Sequence, residues 1–181
     1  MQMISFWRVA VLLAISITPR LSYAETYQDW FLSSSSDHSH LTALTANDGG
    51  AVLVFDCTLS TRTCAWSVIS HKSCEDDRVY NVLVHVGETT QSIDARCSYE
   101  EGALGRYRLA FQNYAAMNQL LAQADNVRFA IETRPQQFRQ LRFSLAGAGQ
   151  ARSRLVTLAN KIHAPRRVSV NDSRTSSERS R

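Results

Sequence analysis

From Ala51 to Phe111 the chain alternates apolar and polar residues with period two, broken by short polar stretches, and all four of its cysteines fall inside that region. Period two is the signature of strands with one face toward a core. Ala51, Leu53, Phe55 and Cys57 share one face of the first run, with Val52, Val54 and Asp56 on the other. Cys64, Trp66 and Val68 repeat the pattern, as do Tyr80, Val82, Val84 and Val86, then Ile93, Ala95 and Cys97, then Tyr107, Leu109 and Phe111. Asp94 and Arg96, and likewise Arg106 and Arg108, face outward. Leu41 to Ala46 reads as an earlier strand, stopped by Asn47-Asp48-Gly49-Gly50, where glycine accepts the positive φ of a tight turn. Gly87-Glu88 is a two-residue turn between Val79–Val86 and the return strand Gln91–Cys97.

After Phe111 the period changes. Asn113 is suited to cap a helix, and Tyr114, Met117, Leu120, Leu121 and Ala124 form one apolar stripe. Two more strands are expected at Val127–Thr133 and Phe138–Leu145, then a second helix over Gly147–Ile162 whose start the glycines weaken. Glu25–Phe31 is mixed, with Trp30-Phe31 as an anchor onto the core, and Ser33–Ser36 reads as loop. The expected fold is mainly β, a β-sandwich or small β-barrel built as an antiparallel meander of seven to eight strands with one or two packed helices.

The first 24 residues set the redox context. Arg8, the apolar run Val9–Ile17 and Ser22-Tyr23-Ala24 have the form of an export signal with a small-x-small cleavage site. The expected organisation is therefore a signal peptide over 1–24, one disulfide-stapled β-rich domain over 25–164, and a basic disordered tail over 165–181. The chain is read as periplasmic or secreted, without stable membrane insertion once the leader is removed. In that setting Cys57, Cys64, Cys74 and Cys97 are expected as disulfides rather than a zinc site, because the spacings are not paired short C-x₂₋₄-C motifs. Three pairings are possible; strand parity favours Cys57–Cys64 with Cys74–Cys97, since Cys57 and Cys64 face inward on consecutive strands.

Charge gives no nucleic-acid footprint. Removing the leader's two arginines and the tail's five arginines and two acids leaves a body of 13 basic and 14 acidic residues. Asp37-His38-Ser39-His40 is the one cluster with metal-site spacing, because His38 and His40 would share a side of a strand. A solvated His/Ser loop is the favoured reading, with a metal-dependent hydrolase using His38 and His40 as an alternative. His71 and His85 are isolated, Glu75-Asp76-Asp77 lacks the EF-hand pattern, and neither G-x-S-x-G nor a phosphate-binding glycine loop occurs. Asn171-Asp172-Ser173 is a glycosylation sequon relevant only to a eukaryotic secretory route. Arg128, Arg139, Arg142, Arg152 and Arg154 are either a patch for an anionic ligand or partner, or separate outward residues; the latter is favoured.

Cys57…Cys64-Ala65-Trp66…Cys74, the stretch Val79–Cys97 and the closing Leu141-Arg142-Phe143-Ser144-Leu145-Ala146-Gly147-Ala148 together resemble exported bacterial proteins of the invasion-associated locus B type. The likeness runs over Gly50–Leu158 in the order of elements, and the chain departs from the family in cysteine spacing and in lacking Pro/Gly-rich middle turns. The resemblance implies a periplasmic β-rich accessory protein that is not an enzyme, and it carries over no functional residue. The function expected is thus a binding or accessory protein with another exported or envelope protein as partner, no nucleic acid, and no catalytic residue, metal or cofactor. The second reading is an inhibitor of an exported hydrolase such as a lysozyme or protease, inserting the Thr58–Thr63 loop.

Overall fold

The computed structural model describes residues 24–35, 37, 39–100, 106–122, 124–134 and 136–163. Residues 1–23 of the expected leader over 1–24 and the whole expected tail over 165–181 lie outside them, whereas Ala24 is described. Among the described residues no helix is long and apolar enough to cross a membrane.

The strands are β1 (Ala24–Tyr27), β2 (Trp30–Ser34), β3 (His40–Ala46), β4 (Val52–Thr58), β5 (Thr63–Ser70), β6 (Val79–Val86), β7 (Thr89–Glu100), β8 (Arg106–Phe111), β9 (Asn126–Arg134) and β10 (Gln137–Ser144), with helices α1 (Tyr114–Leu121) and α2 (Ala148–His163). They form one ten-stranded sheet, every neighbour antiparallel, in the order β1-β2-β3-β4-β5-β8-β7-β6-β9-β10. The sheet is mainly β with packed helices, as expected, and it is not a closed barrel. It departs from a simple meander at two junctions: β5 takes β8 as its neighbour, and β6, paired with β7, takes β9 on its other side.

Parity explains the core. The inward residues are buried in every central strand, among them Leu53 and Phe55, Trp66 and Val68, Val82 and Val84, and Phe129. Trp30, Trp66 and Phe55 make one aromatic cluster, with Phe55 and Trp66 centroids 4.9 Å apart. Phe111, Phe129 and Phe143 make a second in the other half of the sheet. Both helices lie on this inner side. Asn113 caps α1 by accepting from the Ala116 amide at 2.9 Å, and the Trp66 indole donates to Asn118 of that helix at 2.8 Å. Ala148, Ala151 and Leu155 bury the facing stripe of α2.

Two segments differ from the sequence expectation. Trp30–Ser34 is a strand, so Ser33 and Ser34 are not loop; Trp30 and Leu32 point inward and hold the short strand in place. Gly147 is not a weak helical residue but precedes α2, accepting from the Ala151 amide at 3.0 Å with φ +87. A Cβ there would stand 2.0 Å from the Tyr27 carbonyl oxygen, so this position requires glycine. The Tyr27 strand is further tied to α2 by the Glu25–Arg154 ion pair at 3.0 Å. The two ends of the sheet approach each other where the Trp30 indole donates to the Ser144 carbonyl at 3.2 Å.

Cys57 and Cys64 are direct partners across β4 and β5 and are disulfide-bonded; Cys74 is bonded to Cys97 of β7. This is the pairing that strand parity favours, and among the described residues no cysteine is free.

Candidate functional site

The local histidine cluster is built as a turn. Asp37 accepts from the Ser35 hydroxyl at 2.5 Å, the Ser39 amide at 3.0 Å and the Ser39 hydroxyl at 2.8 Å. Those donors, Ser35 first, hold its carboxyl well below the usual carboxylate range. His38 lies outside the described residues. His40 opens β3 on the outer face, its Nδ1 3.4 Å from the Thr58 hydroxyl. His71 is exposed beyond β5, and His85 sits on β6 with its Nδ1 2.8 Å from the Thr90 hydroxyl. Among the described residues no group of three or more His, Cys, Asp or Glu is gathered to hold a metal ion.

A more developed arrangement lies on the outer face of β3, β4, β5, β8 and the end of β7. A recess of about 640 Å³ is floored there by Leu44, Val52, Val54, Ala65, Ile69 and Ala110. These are the outward positions of consecutive strands: Leu44 lies opposite Val54, and Val52 opposite Ile69. Such a face is normally polar in a sheet whose other side carries the core, whereas here its floor is apolar.

Charged groups edge the floor. The Arg108 Nη1 donates to the Ser67 hydroxyl at 2.6 Å and lies 3.5 Å from the Asp56 carboxylate, while its Nε donates to Glu100. The Asp56 and Arg108 side chains retain only 22% and 23% of their exposure. Burial pushes the Asp56 carboxyl up from its ordinary value, and it outweighs the opposing pull of the Arg108 charge. Ser67 is itself fully buried, so Arg108 satisfies a hydroxyl that water does not reach. His40 and Arg106 complete the rim. The arrangement can hold a partner's apolar side chains over the floor and its polar groups at the rim.

Sequence parity places Arg108 and Asp56 outward but leaves them unconnected. The available signal is Asp56 itself, an acid on the same strand face as Val52 and Val54.

Arg128, Arg139, Arg142, Arg152 and Arg154 do not form one patch. Arg152 donates to Asn118 at 3.1 Å, and Arg154 pairs with Glu25. Arg139 lies half-buried near Tyr80, where burial lowers its guanidinium pKa and, among the described residues, its Nε has no hydrogen-bond partner. Arg128 and Arg142 alone are brought side by side, as direct partners across β9 and β10.

No protein-family model matches the chain, and no curated protein matches it in sequence. Among solved structures the chain is similar to invasion associated protein B from Bartonella henselae, with a TM-score of 0.54 and 16% sequence identity. That match covers 77% of this chain and 99% of the other. The family resemblance read from the order of elements is therefore present in the fold.

Proposed function

We propose that the chain is an exported, periplasmic accessory protein that is not an enzyme and docks another envelope protein on the outer face of β3, β4, β5 and β8. The observation that carries this reading is the apolar floor bounded by Arg108, Asp56 and His40, on the side of the sheet away from both helices. Two disulfides fit an oxidising compartment, and the likeness in fold to an invasion-associated protein supports the accessory role.

The test is affinity capture from a periplasmic extract with the oxidised protein and its Ile69→Glu variant, with mass spectrometry of what is retained. Ile69 is half-buried on the floor, so a carboxylate there opposes apolar docking without entering the core. One dominant partner, captured by the unaltered protein and lost with Ile69→Glu, is expected. Equal capture by both, or an empty column, overturns the reading.

A second reading, inhibition of an exported hydrolase, rests on the β4–β5 loop. Ser60, Thr61 and Arg62 are exposed there, while the Cys57–Cys64 bond fixes the loop's base and buried Leu59 anchors it. A captured hydrolase whose activity falls on titration with the protein, but not with Arg62→Ala, would establish it.

A further inference from the structure

We infer that Arg128 and Arg142 form a binding site for a phosphate group, on the half of the sheet away from the apolar recess and independent of it. The two residues are direct partners on β9 and β10 and share the outer face, because Val127, Phe129 and Phe143 take the inner one. Like charges placed directly opposite on neighbouring strands repel, so a sheet ordinarily puts an acid at one of the two positions. Here both are exposed arginines, and among the described residues neither has a carboxylate within ion-pair distance.

The surroundings are those of an anion cradle. Arg128 and Arg142 share a recess of about 390 Å³ that, among the described residues, is lined by them, Asn126 and Gln140. Asn126 and Gln140 are outward positions of the same two strands, so each brings a side-chain amide beside the guanidinium pair. His85 is the partner of Arg128 on the other side, across β6 and β9, and continues the row of nitrogen-bearing side chains. Glu132, four positions along β9 from Arg128, accepts instead from the Gln136 amide; Asp29, Asp48 and Asp125 line a second recess together with Arg142, and among the described residues none of them forms an ion pair with it.

The number of donors selects the ligand class. Each guanidinium offers a planar fork of N–H groups, and a single carboxylate is satisfied by one fork. A phosphate dianion has oxygens enough to accept from both forks and from the flanking amides, and its charge matches the pair. Free phosphate and a phosphomonoester on a lipid headgroup present the same chemistry.

The experiment measures binding to the oxidised protein and to Arg128→Gln, Arg142→Gln and Arg142→Lys. The probes are inorganic phosphate, titrated calorimetrically at ionic strength held constant with sodium chloride, and phosphatidylcholine vesicles with and without phosphatidic acid. Each glutamine variant is expected to weaken phosphate binding about tenfold or more, the loss of a charge-assisted hydrogen bond. Arg142→Lys keeps the charge but loses the fork, so it should also bind more weakly; it decides the matter if circular dichroism shows that a glutamine variant is misfolded. Binding confined to phosphatidic acid vesicles, with the same variant pattern, supports the inference and assigns the phosphate to lipid. Binding of neither probe, or binding unchanged in the variants, overturns it. Ile69→Glu should bind phosphate like the unaltered protein, which separates this site from the docking face.

Discussion

The two halves of the sheet treat outward charge in opposite ways. On β4, β8 and β7, Arg108 is largely shielded and is met by Asp56, Glu100 and Ser67. On β9 and β10, Arg128 and Arg142 stand exposed beside each other with no acid in reach among the described residues. The difference follows from solvent. A charge withdrawn from water must be compensated by partners or it is too costly to keep. A charge left in water is screened, so an uncompensated pair survives at the cost of a modest repulsion. The first half therefore carries a rigid, internally satisfied rim around an apolar floor; the second keeps its hydrogen-bonding capacity free.

The two disulfides tie β4 to β5 and the segment after β5 to β7, and removing them should give the largest effects. Cys74 and Cys97 are 23 residues apart and Cys57 and Cys64 are 7 apart. Closing the longer loop restricts the unfolded chain more, by chain-entropy reasoning, so replacing both members with serine should cost about 3.5 kcal/mol for the first bridge and about 2.5 kcal/mol for the second. Urea unfolding of the two double variants measures this order directly, and equal losses would show that native-state contacts outweigh loop length.

Arg108→Met comes next. It leaves Asp56 shielded from water without its cation, and at neutral pH it should lower stability by about 2 kcal/mol, below the range for fully buried pairs because both side chains keep some exposure. The sign with pH follows from Asp56, whose folded carboxyl lies above its ordinary value of 3.8. The folded state then binds the proton more tightly than the unfolded one. The penalty of holding the ion is complete above the folded pKa and fades as pH falls through it toward 3.8. The loss from Arg108→Met should accordingly shrink on acidification, and an Asp56→Asn background should remove that pH dependence. A loss that is constant with pH would assign Arg108 a packing role instead.

What the sequence made legible is what depends on neighbours in the chain. Period two marks β3 to β10 because each of these strands buries one face, and the turn at Asn47–Gly50 announces itself through residues that accept unusual backbone angles. Parity pointed to the Cys57–Cys64 bond because the two cysteines are separated by a single hairpin, and Cys74–Cys97 is the pair that remains. β1 and β2 were missed because both are short and β2 ends in Ser33 and Ser34; Trp30 and Leu32 are fixed by contacts with distant parts of the fold. The same limit applies to the candidate site. Asp56 and Arg108 are 52 positions apart and meet only because β8, not β6, pairs with β5. Arg128 and Arg142 were named with three other arginines, and only the β9–β10 register separates this pair from the rest.

The smallest effect is the most direct test of the contrast between the halves. If Arg128 and Arg142 repel across β9 and β10, replacing either with glutamine should stabilise the protein, by about 0.2–1 kcal/mol, the scale of a cross-strand pair. Arg142 is exposed and lies in the outermost strand of the sheet, so the substitution removes charge while creating no cavity. The gain should be largest at low ionic strength and should fall as added salt shortens the Debye length to about 10 Å at 0.1 M. Phosphate should act more strongly than chloride at equal ionic strength. By bridging the two guanidiniums it stabilises the unaltered protein alone, so in phosphate Arg142→Gln should lose its advantage and melt at or below the temperature of the unaltered protein. A glutamine variant that is less stable than the unaltered protein in chloride as well would mean that the arginine stems hold the β9–β10 surface together by packing, and that the repulsion between the charges is already screened by water.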